Sequence, residues 1–150
     1  MTQLIDDQLL GVVLRDEPPP RPAEPVFTTG YWYVRLCQAV LGASDRRGVL
    51  SGPLDALPGE DRDQALQALL ELPESVGLIS LRELAPLIGR LRRRHHLNIL
   101  ALEALASALY LEADVYLSAV SPHLQRALEQ ESRNYEVLAW LAEPAPITAR

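Results

Sequence analysis

The chain of 150 residues contains no lysine, and only one cysteine, one methionine and one phenylalanine. A single thiol, Cys37, rules out an internal disulfide and fits a reducing compartment, so the cytoplasm is the expected location. At this length and with 48% hydrophobic residues, the chain can bury roughly two thirds of its unfolded surface without a metal or disulfide. Long apolar runs are also missing. The longest, from Asn98 to Val120, is broken by Glu103, Glu112 and Asp114, and falls short of the roughly 20 uncharged residues a bilayer span needs. No membrane partner is expected. The opening residues, Met1-Thr-Gln-Leu-Ile-Asp-Asp7, carry no basic segment and reach acids early, unlike a secretory leader.

All 14 basic residues are arginine, and with the many Ala, Leu and Pro residues this resembles the codon bias of a GC-rich bacterial genome. The net charge of −6 opposes broad attraction to phosphate backbones, so any contact with nucleic acid must be local. One positive run exists, Arg90-Leu-Arg-Arg-Arg-His-His96, which makes Arg90, Arg92, Arg93 and Arg94 the candidate nucleic-acid contacts. The competing reading is a solvated helix C-terminus, where cations complement the helix dipole. The acidity of the chain and the lack of aromatics among these arginines favour that competing reading. His95-His96 have no companion Cys or His at a zinc spacing, and His123 stands apart. Neither a glycine-rich phosphate loop nor a G-x-S-x-G turn occurs.

The pattern predicts alternating strands and helices. Thr2–Ile5 is strand-like, and Gln8–Leu14 a buried helix. Asp16–Pro25, with five prolines in ten residues, is an extended connection. Val26–Thr29 predicts a strand, and Gly30–Leu41 a helix whose Tyr31, Trp32 and Tyr33 suit core or interface anchoring better than base stacking. A loop is expected over 45–55, a helix from Pro58 to about Leu72, and a strand over Val76–Ser80. Ser80-Leu-Arg-Glu83 matches a capping box, with a helix to about Arg93. Asn98–Ala113 is an apolar helix, Asp114–Val120 a β-branched and aromatic strand, Ser121-Pro122 the start of a helix to about Ser132, and Tyr135–Leu138 a last strand. This alternation gives an α/β fold in three layers, a mostly parallel central sheet of four to five strands flanked by helices. One domain spans 1–138. The tail 139–150 carries Trp140 as an anchor-like residue on a proline-limited segment. A mainly helical chain is the alternative.

This order resembles the PIN domain, a family of small α/β proteins that includes the toxin ribonucleases of bacterial toxin–antitoxin pairs. The likeness lies in Leu4-Ile-Asp-Asp-Gln-Leu-Leu10, in Ala101–Ala119, and in Ser121-Pro-His-Leu-Gln-Arg-Ala-Leu128 with Tyr135-Glu-Val-Leu138 behind it. The resemblance implies a cluster of carboxylates that holds Mg²⁺ or Mn²⁺, activates a water and steadies charge on the phosphate. It places the first metal-binding acid at Asp6. The other family acids fall near Arg35 and on Ala101 and Val120. Glu103 is the nearest acid to Ala101, but two residues of helix turn it by about 200°. Glu103 reads better as a solvated helix residue, and Arg35 as a structural ion-pair partner, one that could occupy the metal's place by pairing with Asp6. Asp6-Asp7 suits helix capping and metal binding equally well.

Two classes follow. The first is a PIN-like domain without nuclease activity or cofactor, an interaction module acting as a homodimer, on a protein partner or on RNA. The second is a divalent-metal endoribonuclease of toxin–antitoxin type, with Asp6, Asp7 and Glu103 as catalytic candidates and Mg²⁺ or Mn²⁺ as cofactor.

Overall fold

The computed structural model describes residues 1–42 and 48–138. The tail expected to carry the Trp140 anchor, and the first residues of the loop expected over 45–55, lie outside the described residues. Five strands, β1 (Gln3–Ile5), β2 (Val26–Thr28), β3 (Val76–Leu78), β4 (Asp114–Leu117) and β5 (Tyr135–Val137), form one sheet in the order β3-β2-β1-β4-β5. Every pairing is parallel. Parallel neighbours need a long crossover between them, and seven helices among the described residues supply it. These are α1 (Asp7–Leu14), α2 (Gly30–Leu41), α3 (Gly52–Asp55), α4 (Gly59–Leu70), α5 (Leu81–Leu91), α6 (Ile99–Leu111) and α7 (Pro122–Gln130). The expected α/β architecture is therefore present and the mainly helical alternative is excluded. No helix among the described residues is long and apolar enough to cross a membrane.

Side chains alternate across the sheet and so build two cores. Leu4, Val115 and Leu117 pack with α5, α6 and α7 on one face, joined by Trp32 of α2. Ile5, Val26, Val76 and Tyr116 pack with α1 and α4 on the other, joined by Leu36 of α2. In α6 every residue from Leu102 to Ala108 is buried, which accounts for a sequence that is apolar there except at Glu103 and Ser107. Gly77 lies beside Phe27 in register on β2, and a Cβ added there would run into the Phe27 ring. Glycine is what lets the aromatic ring cover that strand.

Several local features differ from expectation. The stretch expected as loop contains α3, where Pro53 sits in the first turn and needs no amide donor. The strand expected to reach Val120 ends at Leu117, because the Ser118 amide leaves the ladder to bond the Asp6 carboxylate at 2.7 Å. Ser80 caps α5, accepting from the Arg82 amide at 3.1 Å rather than from that of Glu83. Ser121 makes no side-chain cap on α7; instead its amide donates to Gln125 Oε1 at 2.7 Å. Three helices close on residues in the left-handed region, Asp16, Glu112 and Ser132, where glycine is the usual choice.

Candidate functional site

The chain builds outward from β1 through β2 to β3, then returns to place β4 and β5 on the opposite side of β1. At such a reversal the loops leaving β1 and β4 diverge, and open α/β folds bind ligands in the crevice between them. A pocket of about 390 Å³ opens here, and Asp6, Asp7, Arg35, Ala101, Ser118 and Val120 are among the residues around it. Asp6 directly follows β1, and Ser118 directly follows β4.

Asp6 is buried and its carboxylate is taken up by the protein itself. Oδ1 accepts from the Leu9 amide at 3.0 Å, which caps α1. Oδ2 accepts from the Ser118 amide at 2.7 Å and from the Ser118 hydroxyl at 2.6 Å. Burial pushes its pKa above the ordinary 3.8, the bonds from Ser118 and Leu9 pull it down, and the neighbouring Asp7 charge adds to the rise. Capping is thus the role the geometry displays, and the bond to Ser118 ties the ends of two adjacent strands together.

Asp7 accepts from the Gln8 amide at 2.8 Å and faces Arg35, whose Nε lies 3.5 Å from Asp7 Oδ2. Burial raises the Asp7 pKa, and the Arg35 guanidinium opposes that rise. Arg35 pairs with Asp7, not with Asp6 as its place in the sequence suggested. The Asp7 side chain is 11% exposed while that of Arg35 is 54% exposed, so the pair joins a buried acid to a guanidinium open to water, and both line the pocket.

No family model matches the chain, and no curated protein matches it at a significant level.

Glu103 belongs elsewhere. It is fully buried, not solvated, and its carboxylate accepts from the amides of Gly30 at 3.2 Å and Tyr31 at 2.8 Å. Both amides lie in the first turn of α2, where a helix has unpaired donors and a partial positive charge. Glu103 therefore fastens α6 to the start of α2. A Cβ on Gly30 would come within 3.1 Å of Glu103 Oε2, so glycine makes this close approach possible. Thr29 completes the cap by accepting from the Trp32 amide at 3.1 Å.

A divalent cation does not fit this arrangement. Hard cations take several oxygen ligands, yet both oxygens of Asp6 already accept from protein donors, and Glu103 faces a helix end instead of the pocket. The side chains of Ala101 and Val120 have no oxygen to offer, and Arg35 brings a positive charge to the pocket wall. Among the described residues, no group of three or more His, Cys, Asp or Glu could hold a metal ion.

The basic run is divided in its engagements. Arg92 donates through Nη1 to the Leu97 carbonyl at 2.8 Å. Arg94 forms a two-pronged pair with Glu131, both bonds at 3.1 Å. Arg90 and Arg93 are exposed. His95 is buried, with Nε2 2.7 Å from Glu131 Oε2. Sequence reasoning missed Ser118 and Glu131. A hydroxyl directly after a strand at the sheet's carboxyl end is the signal that points to Ser118; the Glu131 pairing joins residues 36 positions apart and leaves no local trace.

Proposed function

We propose that this chain is a PIN-like domain that has lost its metal-binding acids and acts as a non-catalytic interaction module, through self-association or through a protein or RNA partner. One observation carries the reading. The pocket at the strand reversal keeps an acid after β1, but that acid is saturated by Ser118 and Leu9, and the positions where the family's other acids fall hold Arg35, Ala101 and Val120. Such a pocket can hold its own strands together but cannot assemble the carboxylate set that two-metal hydrolysis needs. The fold, the order of elements and the location of the pocket are compatible with this family, and the loss of acids removes its chemistry.

The test is isothermal titration of the intact chain with Mn²⁺, with an Asp7→Asn variant as control and a parallel incubation with single-stranded RNA. The expected result is no saturable heat in either protein and no cleavage. Saturable binding that disappears in the variant, together with metal-dependent cleavage, would instead establish a metal-dependent ribonuclease that uses Asp7.

A further inference from the structure

All three histidines of the chain border one small pocket, on the side of α7 that does not face Asp6. Its volume is about 190 Å³, and Arg94, His96, His123, Arg126 and Gln130 supply its polar rim. His123, Arg126 and Gln130 recur along α7 at spacings of three and four, which puts them on one helical face. The turn after α5 lies opposite and brings Arg94 and His96.

That turn is held rigidly. The Arg94 and His95 amides donate to the Leu91 carbonyl at 3.0 and 2.9 Å, Arg92 clamps the Leu97 carbonyl, and buried His95 is tied to Glu131. Glu131 is the acid bonded into this region, and its carboxylate is occupied by His95 and Arg94. His96, His123, Arg126 and Gln130 are exposed, and their side chains make no hydrogen bond or ion pair with other described residues. In a chain of net charge −6, a pre-formed concavity lined by donors, two guanidiniums and imidazoles is a local reversal of the molecule's field. His123 also stands in the first turn of α7, where the helix dipole adds positive potential.

We propose that this pocket binds a phosphate group. Arg126, whose guanidinium has no partner among the described residues, suits a compact oxyanion with several acceptor oxygens, since guanidinium pairs with phosphate through parallel bonds, while Arg94, its fork turned to Glu131, lines the opposite wall. A carboxylate offers fewer acceptors to so many donors, and the pocket has no Phe, Tyr or Trp on which a nucleobase would stack. The arginine run contributes Arg94 from one wall, while residues that the run's sequence does not reveal, His123 and Arg126, form the other. This site is independent of the Asp6 pocket and of the family reading.

Because the histidines are confined to this pocket, their ring resonances report on it directly. The experiment is titration of the intact chain with inorganic phosphate at fixed pH and ionic strength, followed by imidazole NMR shifts, with chloride as the control anion. Saturable shifts of His96 and His123 with phosphate alone are expected. Arg126→Ala should weaken binding about tenfold, and Gln130→Glu, which adds a carboxylate to the rim, should abolish it. A second arm uses a short single-stranded RNA. Binding more than about tenfold tighter than inorganic phosphate assigns the group to an RNA backbone, and equal binding assigns it to a small phosphorylated compound. Absence of saturation, an equal response to chloride, or indifference to both variants overturns the proposal.

Discussion

On one side of α7, Asp6 and Asp7 lie buried at the end of β1, with their oxygens accepting from Leu9, Ser118 and Gln8 and with Arg35 paired to Asp7. On the other side, His96, His123 and Arg126 stand exposed with no protein partner among the described residues. The two clusters differ in sign, but the more instructive difference is in who satisfies them. A buried polar group must be bonded by the protein or it costs several kcal/mol, roughly 1–3 per orphaned group. An exposed one is bonded by water, which a ligand can displace. The acidic cluster therefore reads as architecture and the basic one as a surface open to an outside group.

The sharpest way to break this contrast is to truncate one residue on each side. Asp6→Ala removes the cap of α1 and leaves the Ser118 amide and hydroxyl without their acceptor. The expected loss is about 4 kcal/mol of unfolding free energy in urea. Arg126→Ala, by contrast, should stay within about 0.5 kcal/mol of the parent. Equal costs would dissolve the distinction between an internal and an outward-facing cluster.

Glu103 extends the same logic away from the pocket. Its two backbone partners are charge-assisted, so Glu103→Gln should cost about 2 kcal/mol, because the amide keeps one acceptor and turns a donor toward an N–H. Thermal unfolding checks this. An unchanged midpoint would mean that the carboxylate's charge is not what holds α6 to α2.

How much of this was visible in the sequence follows from the range of each interaction. Strand and helix positions were legible, because hydrophobic period is encoded within a few residues; the helix expected from Asn98, for example, is α6, with Asn98 as the residue that caps it by accepting from the Ala101 amide. The place of Asp6 at the end of β1 was legible for the same reason. What the sequence concealed are bonds between distant segments. Glu103, in a helix interior, reads from the sequence as a solvated residue, yet its partners lie 72 and 73 residues away. The Asp6–Ser118 link spans 112 residues, and it both shortens β4 and fills the acid's valences. The basic pocket was half legible, as the arginine run announced one wall and α7 concealed the other.

Acid provides the finest test, because the two clusters titrate in opposite senses. His95 and Arg94 hold the Glu131 carboxyl below its ordinary 4.5, so the stability it contributes is present above that value and lost as pH falls through its lower folded pKa. Asp7 has a raised pKa: its charged form carries a burial cost at neutral pH, and that cost is relieved as pH falls through the raised value toward 3.8. Asp7 is buried but faces a half-exposed guanidinium, and Glu131 is only partly buried, so each effect should be about 1 kcal/mol or less. Urea midpoints measured between about pH 7 and pH 3 for the parent, Glu131→Gln and Asp7→Asn separate them. On acidification the parent's advantage over Glu131→Gln should shrink, while its standing relative to Asp7→Asn should improve. If both differences move in the same direction, burial is not what sets the acidic cluster apart, and the Arg35 charge dominates Asp7 instead.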